Sequence, residues 1–151
     1  MNTRYNTGGN SRSAVCTEGA AAAGRIRVMV VEDHSAARRM LVRLLEHLGF
    51  AVCEAGDGRE ALQKVSAAAR PPDVILMDLN MPEMDGYEAT RRLKADGRFA
   101  AIPVVALTAD VTPDARTEAL AAGATAFLSK PVELDEVERY LRRLTGSPEA
   151  A

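Results

Sequence analysis

Four short apolar runs in this chain each end on a residue able to do chemistry. IRVMVV precedes Glu32 and Asp33, VILM precedes Asp78, IPVVAL precedes Thr108, and AFLS precedes Lys130. Taken singly, each has an ordinary explanation: a carboxylate before a helix caps it, Asp78 opens a loop rich in turn residues, Thr108 ends a strand, and Lys130 is a solvated charge. The conjunction points elsewhere. Carboxylates gathered at one place repel one another, and their proton affinity rises unless a cation neutralises them. A hard divalent ion answers that need, and magnesium suits an all-oxygen site that keeps several waters and is completed by a phosphate. A lysine adds a point charge for phosphate oxygens and a threonine adds one hydrogen-bond donor. The set fits a phosphoryl group, with one carboxylate as its acceptor.

Such a site forms only if the runs are neighbouring strands. The periodicity predicts strands at residues 26–31, 51–54, 74–77, 102–107 and 126–129, the first nearly all apolar, as expected of a strand covered on both faces. Between them lie amphipathic segments. Residues 35–48 carry Met40, Leu41, Leu44, Leu45 and Leu48 at helical spacing, and Gly49 supplies a left-handed stop. Residues 59–69 turn Ala61, Leu62 and Val65 inward before Pro71 and Pro72, and a third helix is predicted over 87–94. Thr112 and Pro113 start a fourth helix that Gly123 closes, and the fifth, 133–144, has acidic residues in its first turn and Arg142 and Arg143 in its last. Five consecutive βα units imply a parallel sheet with right-handed crossovers and helices on both faces. Ligands of such sheets bind beyond the carboxyl ends of the strands, where the strand order reverses.

The remainder of the chain narrows the function further. Its 151 residues, 47% hydrophobic, suit one domain, read as 25–145, between a flexible tail over residues 1–24 and a short tail over 146–151. Lys plus Arg number 19 against 21 Asp plus Glu, and no basic run offers a surface for nucleic acid. No apolar run approaches the ~20 residues of a membrane helix, and the first residues lack the apolar core of a signal peptide. Cys16 and Cys53 are far apart with no CxxC spacing, so neither a zinc site nor a disulfide is expected, and a reducing cytoplasmic setting follows.

At these residues the sequence closely resembles the receiver domain of two-component response regulators. VMVVEDHSAARRMLVRLLEHLGF, DVILMDLNMPEMDGYEATRRLK, IPVVALTAD and AGATAFLSKP match that family's pattern in order and interval. The resemblance implies a flavodoxin-like, doubly wound α/β fold with five parallel strands in the order 2-1-3-4-5 and five helices. It implies that Asp78 accepts a phosphoryl group from a histidine kinase or a histidine phosphotransfer protein. Glu32, Asp33, Asp78 and the backbone of Asn80 would hold magnesium, and Thr108, Ala109 and Lys130 would contact the phosphoryl oxygens. Thr108 and Phe127 match the switch positions, Asn80 and Asp110 those that tune dephosphorylation, and the Lys130–Pro131 bond is expected to be cis. The protein would then be a signalling domain rather than an enzyme, self-catalysed phosphorylation and dephosphorylation of Asp78 aside. Partners would read a surface made by the fourth helix, fifth strand and fifth helix, with no nucleic acid or membrane bound directly. Because no effector domain follows residue 144, a stand-alone regulator, a relay intermediate and a receiver from a hybrid kinase all fit.

Competing readings fail on particular residues. A haloacid dehalogenase-like phosphatase needs a second aspartate two residues after the nucleophile as general acid, and Asn80 stands there. A calcium loop at DLNMPEMDG would need a ligand and a glycine where Pro82 and Glu83 stand. A receiver-like scaffold that ignores phosphate has no reason to keep every contact residue. His34 follows the acidic pair with no catalytic role expected, His47 reads as surface, and Met77, Met81 and Met84 read as packing.

Overall fold

A computed structural model describes residues 24–81 and 84–146. The two tails lie outside the described residues, apart from Gly24 and Gly146. Five strands, β1 (Arg27–Val31), β2 (Ala51–Ala55), β3 (Val74–Asp78), β4 (Val104–Thr108) and β5 (Ala126–Ser129), alternate with α1 (Ser35–His47), α2 (Gly58–Ala67), α3 (Gly86–Ala95), α4 (Pro113–Ala122) and α5 (Leu134–Leu144). The strands are all parallel, in the order β2-β1-β3-β4-β5. The order reverses between β1 and β3, so their carboxyl tips flank the crevice where ligands of such sheets bind. Every residue of β1, β3 and β4 is buried, as central strands covered on both faces must be.

One face of the sheet packs Met29, Val31, Ile75 and Met77 against Ala61, Val65, Ala89 and Leu93 of α2 and α3. The other packs Val28, Val30, Leu76, Leu107 and Leu128 against Leu45 of α1 and Val137 and Leu141 of α5. Alternate residues of one strand thus serve opposite faces. Met77 and Met81 are buried and Met84 packs beside them, so these methionines are core.

Helix boundaries follow local chemistry. Thr112 caps α4 by accepting a hydrogen bond from the Ala115 amide, Pro113 opens the helix, and Gly123 ends it at φ 109°. Gly49 has φ 95° just past α1, and the Lys130–Pro131 bond is cis.

The apolar spacing of α1 is broader than the contact the helix makes, and one expectation, at Cys53, needs correction. Met40 and Leu44 are 66% and 37% exposed, whereas Leu45 is buried. The five apolar residues of α1 cover a wider arc than the sheet can touch, and the outer part faces solvent. Cys53, half-buried in β2, is disulfide-bonded. Spacing along the sequence carries no information on a bridge closed by tertiary structure, and a reducing compartment no longer follows from cysteine usage. Among the described residues, no helix is long and apolar enough to cross a membrane.

Candidate functional site

The exit from β1 places Glu32 and Asp33 at the carboxyl edge. Glu32 is 5% exposed and Asp33 is exposed. The cap of α1 is His34, whose Nδ1 accepts from the Ala37 amide at 3.3 Å. Asp33 is thereby spared the capping role that its position suggests and stays available to the cluster. Asp78, the last residue of β3, is 2% exposed. One carboxylate oxygen each from Glu32, Asp33 and Asp78 lies within 4.8 Å of the others.

Lys130, immediately after β5, reaches across this group. Its Nζ lies 2.7 Å from Glu32 Oε2 and 3.3 Å from Asp78 Oδ2. Burial, hydrogen bonds and neighbouring charges act on the two carboxyls in opposite net directions. Burial pushes the Asp78 carboxyl up to about 6; the Asn80 amide and Lys130 oppose the shift, and the Glu32 charge reinforces it. Burial also raises Glu32, but the closer Lys130 outweighs it and holds Glu32 below the ordinary glutamate value. Burial lowers Lys130, yet its two carboxylate partners carry it above the usual lysine value. Lys130 faces two of the three carboxylates, and the ionised cluster keeps an excess of negative charge. Its donors are hard oxygens, the set that binds a divalent cation such as magnesium.

The opposite side of Asp78 is neutral. The Asn80 amide donates to Asp78 Oδ1 at 3.1 Å, and Asn80 Nδ2 donates to Thr108 Oγ1 at 3.2 Å. The Asp110 amide donates to the same hydroxyl at 3.0 Å. Asp78, Asn80 and Thr108 therefore form one hydrogen-bonded row across the tips of β3 and β4. Ala109 follows Thr108 on the exposed loop. Two residues stand apart from the row. The Asp110 side chain accepts from the Thr112 amide at the start of α4, and Phe127 packs, half-buried, against Leu79, Ala106, Ala119 and Ala124 beside Tyr87. His47 is exposed, as its position on the helix flank suggested.

Sequence reasoning overlooked one participant. Arg38, one turn into α1, donates from Nη1 to the Glu32 carbonyl at 2.8 Å. Side-chain bonds to main-chain carbonyls leave no periodic signal; only its position six residues after Glu32, on the first turn of the helix, hinted at it.

Comparison with known proteins agrees with this geometry. Residues 28–142 match the response regulator receiver domain family. The chain is 37% identical over 120 residues to the sensor protein EvgS of Escherichia coli (strain K12), covering 80% of this chain and 10% of EvgS. It therefore spans about a tenth of the length of that relative. The receiver domain of sensor histidine kinase PA1611 from Pseudomonas aeruginosa PAO1, solved with a magnesium ion coordinated in its active site cleft, is 33% identical with a TM-score of 0.75. That match covers 82% of this chain and 99% of that one. The chemotaxis protein CheY4 of Vibrio cholerae is 34% identical with a TM-score of 0.74, covering 80% and 98%. No support appears for the phosphatase alternative. With five parallel strands in receiver order and a family match spanning nearly the whole described fold, the chain belongs to the response regulator receiver domain family, the phosphate-accepting signalling module of two-component systems.

Proposed function

We propose that Asp78 is the phosphoacceptor of this receiver and that the chain passes its signal by changing shape at α4, β5 and α5. One observation carries the reading. A carboxylate buried at the tip of a central strand lies beside two others and 3.3 Å from a lysine ammonium. The Asp78 oxygen attacks the phosphorus of a phosphohistidine on a histidine kinase or phosphotransfer protein. The new O–P bond forms as the N–P bond breaks, and the imidazole leaves with its electron pair and takes up a proton. Lys130 turns from Glu32 and Asp78 to the transferred oxygens, and the Thr108 hydroxyl and Ala109 amide supply further donors. Glu32, Asp33, Asp78 and the Asn80 carbonyl would hold magnesium, which supplies charge neutralisation and positioning to a loose transition state.

Hydrolysis uses the same parts. Lys130 stabilises charge when water attacks the acyl phosphate, and Asn80 and Asp110 set how water reaches it. Thr108 is buried at the hinge between chemistry and response. Drawn toward a phosphoryl oxygen, it leaves Asn80 and Asp110, pulls the loop before α4, and opens space into which Phe127 turns. Protein partners read the resulting surface, with neither nucleic acid nor membrane involved. Placement in the cytoplasm, beside the kinases that supply phosphate, belongs to the same proposal.

The test is phosphorylation by acetyl phosphate with magnesium, read by intact mass. One phosphate should add to the wild type and none to Asp78→Asn. Labelling of the variant at the wild-type level would refute the assignment. Chelation of divalent cations, and Asp33→Ala, should each suppress labelling.

A further inference from the structure

We propose that Arg38 is a positioning residue for the carboxylate cluster: it fixes the main chain at Glu32, so that Glu32 and Asp33 present their side chains to a divalent cation together with Asp78. The inference rests on the metal-binding part of the function above and assigns to Arg38 a role in it.

The peptide groups around Glu32 are gripped from two sides. The Glu32 amide donates to the Ala55 carbonyl at the end of β2 at 3.1 Å, and the Glu32 carbonyl accepts from Arg38 Nη1 at 2.8 Å. The His34 amide donates back to Glu32 Oε1 at 3.3 Å, while His34 caps the helix. Asp33 lies between these two fixed points. Holding the Glu32 carbonyl fixes the peptide group from which Asp33 starts, and one Asp33 carboxylate oxygen lies within 4.8 Å of those of Glu32 and Asp78.

Arg38 makes this contact while leaving one of its own donors unmet. Its side chain is 18% exposed, its Nε is buried without a hydrogen-bond partner, and the nearest opposite charge, Glu54 Oε1, is 3.6 Å from that nitrogen. A buried donor left unmade works against stability, and a residue selected for stability alone would settle it. The planar fork instead spends Nη1 on the Glu32 carbonyl and faces Glu54 with Nε. The turn after β2 closes the space behind it: a Cβ on Gly56 would meet Arg38 Nη1 at 3.5 Å and Glu60 Oε2 at 3.2 Å. Glu60 Oε2 accepts from the Gly56 amide, and Glu60 Oε1 pairs with Lys64 at 2.8 Å, so this turn is braced in its own right. Arg38 thus links the Glu32 main chain to Glu54 of β2, beside a braced turn, while none of its ion pairs is with a carboxylate of the cluster.

Magnesium binding to the full chain, measured by calorimetry without any phosphodonor, tests this in the wild type, Arg38→Met, Arg38→Lys and Glu54→Gln. Phosphorylation by phosphoramidate against magnesium concentration and a melting curve accompany each. Arg38→Met should weaken magnesium by about tenfold, the low end of what partners behind metal ligands contribute. The magnesium concentration for half-maximal labelling should rise by the same factor, and the rate at saturating magnesium should recover. Arg38→Lys should restore part of the loss, and Glu54→Gln should show a smaller shift of the same sign. A folded Arg38→Met with wild-type magnesium affinity overturns the proposal, as does a lower melting temperature with unchanged affinity. If Arg38→Met does not fold, unchanged affinity in Glu54→Gln overturns it. Failure of the wild type to label at Asp78 would instead count against the phosphoacceptor reading and leave the affinity comparison standing.

Discussion

The two flanks of the sheet are packed differently, and the carboxylate cluster proposed to take phosphate lies between them. Beneath α1 and α5 the core is made of large side chains: Leu45, Phe50, Leu76, Leu107, Leu128, Val137 and Leu141, all essentially inaccessible. Beneath α4 the buried residues are Ala115, Ala119 and Ala122, and the local cluster joins Ala106 and Ala124 to a single buried leucine, Leu79, with Tyr87 and Phe127 only half covered. Dispersion and area burial scale with the atoms brought together, so the α4 corner is held less firmly. The charged half of the site, Glu32, Asp33 and Lys130, sits at the heavily packed flank, while Thr108 and Phe127 lead into the thin one. Elements that move are drawn from the least stable parts of a fold, and the proposed response through α4 would use the less firmly packed corner.

The largest expected effect tests the packing contrast directly. Leu76→Ala, which removes an inaccessible side chain of β3, should lower unfolding free energy in urea by about 3 to 5 kcal/mol. Leu120→Ala on α4, where the side chain is 47% exposed, should stay within about 0.5 kcal/mol of wild type. Equal losses at the two sites would abolish the distinction.

Next comes the charge stored in the firm half. Folding carries Asp78 from the ordinary aspartate value to about 6, so the fold favours its protonated form. That contribution is complete below pH 4, the unfolded range, and disappears as pH rises through about 6. Asp78→Asn has no charge to bury. At pH 7.5 without divalent cations it should be more stable than wild type by about 1 to 3 kcal/mol, and the gap should vanish near pH 4. A gap independent of pH would place the strain elsewhere.

Thr108→Ala probes the boundary between the flanks. The variant should still take phosphate on Asp78, since the acceptor and Lys130 are untouched. Loss of one charge-assisted hydrogen bond should cut the population shift by about tenfold or more, seen as loss of most amide shift changes over residues 110–144. A full wild-type pattern would remove Thr108 as the coupling residue and leave Phe127 as core. The smallest effect concerns lifetime: exchanging Asn80 or Asp110 should change acyl phosphate decay severalfold, measured by loss of the added mass. If neither exchange changes decay, water access is tuned elsewhere.

Part of this arrangement was legible before any coordinates. The alternation of β-branched runs with amphipathic segments leads to five parallel strands because each helix returns the chain to the same edge of the sheet. A parallel sheet then brings the tips of its strands to one edge, which is why Glu32, Asp78, Thr108 and Lys130 read as a group. Capping chemistry at Thr112, Pro113 and Gly123 is equally local, and the start and end of α4 follow from it. Boundaries of other elements moved by a residue or two, as in β4, which begins at Val104 where the apolar run begins at Ile102.

What only the folded chain decided was long-range or directional. Lys130 and Glu32 are 98 residues apart, and which carboxylate the ammonium favours depends on a difference of a few tenths of an ångström, not on sequence. Burial of the Asp78 carboxyl, which raises its proton affinity, is likewise a product of the fold. His34 as the cap of α1, the outward turn of Met40, the bridge at Cys53, and the reach of Arg38 to a carbonyl share a cause. Periodicity reports which face of an element is apolar, whereas these features depend on where a neighbouring element ends and which hydrogen-bonding groups it leaves open.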